Sequence, residues 1–196
     1  MRAALISPIS RIARAGALVA LTLVCAPRPS AAQNTAAVYA AGVRATYFDE
    51  LESLHKKFLQ LAEAFPEDKY SWRPAPGVRS VGEVFKHVAM EYYFYHPMAF
   101  GAAASPAVGH GPEASRKFET ESSKPEVLKA LNEGYAYTKQ VVGAVSPDSL
   151  LGKRKMFGRE FTQTELAFAM SGDLHEHLGQ LIAYARMNGI KPPWSR

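Results

Sequence analysis

Apolar residues recur at helical spacing four times along the chain. Over 43–65, Tyr47, Leu51, Leu54, Phe58, Leu61 and Phe65 follow one another in alternating steps of four and three, one face of an α-helix, and Pro66 closes the run. Over 124–145, Leu128, Leu131, Tyr135, Thr138, Val142 and Val145 repeat the pattern, and residues 81–96 and 163–188 carry similar stripes. Three of the starts are marked by a capping box: Ser80 with Glu83, Ser123 with Glu126, and Thr162 with Glu165. Pro125 falls in a first turn, where its missing N–H costs nothing, and Asn188-Gly189 followed by Pro192-Pro193 ends the last helix. Strand signals are weak, apart from Lys155–Phe161, which can fold into a short hairpin around Gly158. Four amphipathic helices predict an all-α four-helix bundle. The linker 66–79 is rich in Pro and Gly, and the connection 101–122 is long enough to cross the bundle end, so simple up-and-down order is not required.

Charge changes the picture less than its total suggests. The formal net charge is +5, but residues 1–32 hold four arginines and no acid, so removing them leaves +1 on the other 164 residues. A nearly neutral domain lacks the electrostatic footprint of nucleic-acid binding. Residues 1–32 read instead as a cleaved signal peptide: Arg2, Arg11 and Arg14, then an apolar run of eleven at Ala15–Cys25, then small residues at Ser30-Ala31-Ala32. The predicted cut follows Ala32 and sends the protein to the periplasm or the medium. Leu23-Val24-Cys25 resembles a lipobox, except that Val24 stands where a small residue is expected, and general export is the preferred reading over a lipid anchor on Cys25. Eleven apolar residues are too few for a stable membrane span. Cys25, the one cysteine, leaves with the leader, which excludes disulfides and thiolate chemistry from the mature chain. Residues 33–42 read as an N-terminal extension and 43–194 as the bundle.

The informative residues are ionisable groups set in apolar stripes. With Leu166 at 0° and about 100° per residue, Met170, Leu174, Leu181 and Tyr184 define the buried face of the fourth helix between 0° and about 80°. Asp173 and His177 fall at about −20° and 20°, within that face, whereas His175 falls near 180° and faces solvent. On the second helix His87 and Glu91 stand at i and i+4 beside the stripe of Val84, Val88 and Tyr95. Carboxylates and imidazoles pointing into a core need partners, and two such pairs on two helices are how bundles build metal centres. The donor set suits zinc, or a non-haem iron, manganese or nickel ion. The competing reading is a buried hydrogen-bond network without metal. His55 reads as a boundary residue, His96 as a helix-end residue before Pro97, and His110 as a loop residue. Tyr92-Tyr93-Phe94-Tyr95 reads as packing.

Three blocks carry a resemblance to a known family: Phe65-Pro-Glu-Asp-Lys-Tyr-Ser-Trp-Arg-Pro-Ala-Pro-Gly-Val-Arg-Ser80, Glu83-Val-Phe-Lys-His87-Val, and His177-Leu-Gly-Gln-Leu-Ile-Ala-Tyr-Ala-Arg-Met-Asn-Gly-Ile-Lys-Pro-Pro193. From about residue 43 to 194 the chain resembles the DinB-like superfamily. The resemblance implies a four-helix bundle of non-sequential helix order and a divalent metal held by three side chains, usually histidines. Carried onto this chain, the metal ligands are His87, Asp173 and His177, with Asp173 where the commoner pattern has histidine. Glu91, one turn from His87, is a fourth ligand or a general base. Relatives with assigned activity are mostly thiol-dependent transferases or related metal-dependent hydrolases, and family bundles are often dimers. Two functions follow as expectations. The chain is a metal-dependent hydrolase or transferase acting on a small molecule that enters beneath the 101–122 connection, or it is a non-catalytic exported bundle whose polar groups form a structural network or structural metal site.

Overall fold

The computed structural model describes residues 30–195. Among these residues are six α-helices, α1 (Ala31–Ala64), α2 (Val81–Tyr93), α3 (Tyr95–Ala99), α4 (Gly111–Thr120), α5 (Lys124–Gly143) and α6 (Gln163–Met187), with a two-stranded hairpin, β1 (Arg154–Met156) and β2 (Arg159–Phe161), between α5 and α6. The long helices α1, α2, α5 and α6 make the bundle. α1 packs on α5 and α6, and α2 also packs on α5 and α6, so α1 sits diagonally across the bundle from α2 and α5 diagonally from α6. The order around the bundle is non-sequential, as the family resemblance implies.

The apolar stripes supply the core. Tyr47, Leu51, Leu54, Phe58 and Leu61 of α1, Val84 and Val88 of α2, Leu131 and Val142 of α5, and Leu166, Met170, Leu174, Leu181 and Tyr184 of α6 are all buried. All three capping boxes are closed. The hairpin turns through Phe157 and Gly158, both at positive φ (49° and 82°), the backbone that a two-residue hairpin requires; Arg154 pairs with Phe161 and Met156 with Arg159.

Three boundaries differ from the sequence expectation. α1 begins at Ala31 rather than near 43, with Ser30 and Gln33 closing a fourth capping box, so the expected extension 33–42 is helical. Val38 and Tyr39 there remain exposed, so this stretch carries no core stripe to announce it. The second helix breaks at Phe94 (φ −118°, ψ −67°), and Pro97 is absorbed in the first turn of the short α3. The 101–122 connection contains α4, which packs across the outer face of α2. Phe118 is the one large apolar side chain of α4, so there was no periodicity to detect. The signal-peptide reading and Cys25 lie outside the described residues, except for Ser30–Ala32, which cap and open α1. Among the described residues no helix is long and apolar enough to cross a membrane.

Candidate metal centre

Val81 to Tyr93 is one uninterrupted α-helix, so His87 and Glu91 project from successive turns of α2 toward α6. From α6, His177 projects back. His87 Nε2 lies 3.2 Å from Glu91 Oε1, and His177 Nε2 lies 3.3 Å from the same oxygen. The two imidazoles stand nearly perpendicular, at 82°, with ring centroids 4.8 Å apart. One ligand atom from each of His87, Glu91 and His177 falls within 4.8 Å of the other two. Glu91 is only 2% exposed, and neither carboxylate oxygen has a well-angled hydrogen bond. Three donors therefore converge on one point without satisfying each other, an arrangement that suits a cation.

The electrostatics follow from the geometry. Burial alone would raise the Glu91 carboxyl, but the imidazoles of His177, His87 and His96 outweigh it and hold Glu91 well below the usual carboxylate range. Burial opposes the charged form of His87, yet Glu119 and Glu91 outweigh it and push His87 up to about 9. His177 is raised against the same opposition, chiefly by Glu91. Asp173 goes the other way for a carboxylate: burial first, then the charge of Glu91, raise it to about 6.

The structure places the sequence candidates unevenly. His87, Glu91 and His177 meet. Asp173 stands at the rim, its side chain 44% exposed and its Oδ1 3.9 Å from His177 Nε2. The helical wheel put Asp173 in mid-face because a wheel gives an angle and not how much of the opposing helix covers it. His175 faces solvent as expected, 2.7 Å from Glu50. His55 is not a boundary residue. It is 5% exposed and stacked on Tyr135 at 4.0 Å. His96 is fully buried in α3, not at a free helix end; the Tyr47 hydroxyl meets its Nδ1, and its Nε2 lies 3.8 Å from Glu91 Oε2. His110 sits at the N-cap position of α4 without a side-chain capping bond.

One close neighbour of the centre escaped the sequence reading. Glu119, on α4, puts Oε1 2.7 Å from His87 Nδ1. No motif marks it, because its relation to His87 is made by the docking of α4 on α2. A separate apolar groove of 610 Å³ between α1 and α6, with Tyr39, Val43 and Phe168 in its walls, includes none of the converging ligands.

Comparisons with known proteins agree with this architecture. The chain is 27% identical over 131 residues to the uncharacterized protein YjoA of Bacillus subtilis (strain 168), which covers 66% of this chain and 80% of YjoA. The fold is similar to the crystal structure of that DinB-like protein, with a TM-score of 0.58 at 20% identity, covering 74% of this chain and 93% of the other. A DinB-like protein of Bacillus cereus ATCC 10987 gives a TM-score of 0.55 at 17% identity, covering 80% and 97%. A family model matches residues 50–181, a span that takes in His87, Glu91 and His177 with all of α2 and α6 as far as Leu181, and by that match the chain belongs to the DinB superfamily.

Proposed function

We propose that this protein binds a divalent cation through His87 Nε2, His177 Nε2 and the Glu91 carboxylate, and that it is a metal-dependent hydrolase or transferase of a small molecule. The single observation that carries the reading is the buried Glu91 carboxylate, flanked at 3.2 and 3.3 Å by two imidazole nitrogens and lacking well-angled hydrogen bonds. Two imidazoles and a carboxylate make a borderline-to-hard donor set, compatible with zinc, iron, manganese or nickel. A cation held there would supply Lewis acidity toward a substrate oxygen or an attacking water. The chain's own residues divide the remaining work. Glu91 is the innermost ligand, because its burial makes an uncompensated charge costly. Asp173, at the rim and raised to about 6, is the group best placed to complete the ligand set or to accept a proton from an incoming substrate. These assignments exchange the places that the family resemblance implied for Glu91 and Asp173.

A cation-free network is the second reading, favoured by the charge balance within the cluster. A protonated His87, raised to about 9, neutralises Glu91 without any metal. Elemental mass spectrometry separates the two. The chain is purified without chelator or affinity-tag histidines beside Glu91→Ala and His177→Ala, and helicity is followed by circular dichroism. The metal reading expects about one equivalent in the parent and its loss from both variants with helicity retained. No bound metal after exposure to zinc, nickel, manganese and anaerobic ferrous iron would leave the network.

A further inference from the structure

Both imidazoles of the centre are gripped from behind at Nδ1. His87 Nδ1 donates to Glu119 Oε1 at 2.7 Å. Glu119 in turn accepts Arg79 Nε on Oε2 at 2.9 Å and Arg79 Nη2 on Oε1 at 3.3 Å. On the other side His177 Nδ1 donates to Gln180 Oε1 at 3.3 Å, and Gln180 Nε2 donates to the Tyr184 hydroxyl at 2.9 Å. The Tyr184 hydroxyl donates to the Arg79 carbonyl at 3.2 Å. Every donor in this sequence has its proton and every acceptor a free lone pair. The two arms, one from α2 through α4 and one along α6, therefore meet at one residue, Arg79, directly before the N-cap of α2.

We propose that Glu119 is the positioning residue of this centre, aligned by Arg79, and that the ring Arg79–Glu119–His87 and His177–Gln180–Tyr184–Arg79 fixes both imidazoles with the proton on Nδ1 and Nε2 turned to Glu91. The inference rests on the metal reading above and concerns how this chain prepares the site. A free neutral imidazole favours the proton on Nε2, the nitrogen that must be bare to bind a cation here, so the tautomer has to be imposed from outside. Glu119 does this with charge as well as geometry, since a carboxylate behind an imidazole raises its basicity toward a metal. Gln180 offers only a neutral amide at a longer distance, so the two arms are unequal. α4 has Phe118 as its apolar anchor, over the Lys86 ammonium at 3.8 Å and edge-on to Tyr93. That anchor brings the Glu119 side chain, 14% exposed, against His87.

A simple anchoring role for the Arg79–Glu119 pair, holding α4 to α2, makes different predictions, and the full chain can be tested for both. Zinc affinity is measured by competition with a chromophoric chelator for the parent, Glu119→Ala, Arg79→Ala and Gln180→Ala. Positioning expects Glu119→Ala to weaken zinc about 10- to 100-fold. Arg79→Ala, which leaves the carboxylate on His87 and the backbone carbonyl under Tyr184, should cost less than about tenfold, as should Gln180→Ala. Equal losses in Glu119→Ala and Arg79→Ala, or none in Glu119→Ala, would overturn it. A second readout does not need metal. In the metal-free protein, titrated until the imidazole ¹⁵N shifts themselves report a neutral His87, those shifts should show the proton on Nδ1 in the parent and on Nε2, facing Glu91, in Glu119→Ala. An unchanged tautomer overturns the proposal. A parent that binds no zinc but shows the tautomer switch would instead remove the metal reading and leave the positioning intact.

Discussion

The seam between α1 and α5 and the seam between α2 and α6 each take in a histidine, in very different company. His55 of α1 lies against Tyr135 of α5, stacked at 4.0 Å, with its Nδ1 unpartnered. Burial pushes it down to about 4, more than the neighbouring Asn132 and Glu52 can offset. His87 of α2 is also largely withdrawn from water, but it has Glu91 on one nitrogen and Glu119 on the other and is pushed up to about 9. The same side chain is thus an aromatic core residue in one seam and a cationic or ligating group in the other. What separates them is the carboxylate beside the ring, not the depth of the ring. A histidine on an apolar helix face is weak grounds for a site until its acid partners are located.

The sharpest way to break that contrast is to exchange the losses. Glu91→Ala should lower divalent-metal affinity more than about a hundredfold, beyond the usual cost of an outer partner, while His55→Leu leaves it unchanged. Chelator competition on both variants checks this, and a metal loss in His55→Leu would erase the distinction. Next in size is Leu54→Ala, beside His55 and fully buried. It should cost about 2–5 kcal/mol in urea unfolding, yet leave the metal equivalents per folded chain intact.

The pH dependence of metal-free stability should then separate the two histidines by sign. His55 binds its proton more weakly in the folded state, so stability falls as pH drops from 6.5 toward about 4. His87 binds its proton more tightly when folded; its contribution is complete below 6.5 and is lost as pH rises to about 9. His55→Leu should flatten the acid limb alone, whereas His87→Leu should flatten the alkaline limb and, by taking a partner from Glu91 and Glu119, weaken the acid limb as well, read from denaturant midpoints across pH. Smallest of all, His175→Ala removes an exposed pair with Glu50 and should shift stability by less than about 1 kcal/mol, with metal content unchanged. A clear metal loss there would mean that the outward face of α6 also serves the centre.

The three capping boxes, the hairpin at Gly158 and the buried stripes of α1 and α6 were legible because each depends on neighbours within about one helical turn or one β-turn. His87, Glu91 and His177 were legible as candidates for the same reason: i, i+4 spacing places two groups on one face before any fold is known. Their ranking was not legible. Glu91 is buried and Asp173 lies at the rim because coverage depends on the helix opposite, and His55 moved from boundary to core because Tyr135, 80 positions further along the chain, closes over it.

The sequence by itself therefore determined the four long helical segments, where three of them start, which faces turn inward, and which ionisable groups those faces carry. It did so because hydrogen-bond capping and helical periodicity act over a few residues. Only the tertiary structure decided that α4 exists as a packed helix, that Glu119 reaches His87 across 32 positions, and that Arg79 joins both arms of the centre. Those contacts arise when separate helices dock, and a docking geometry is set by the whole core at once rather than by any local run of residues.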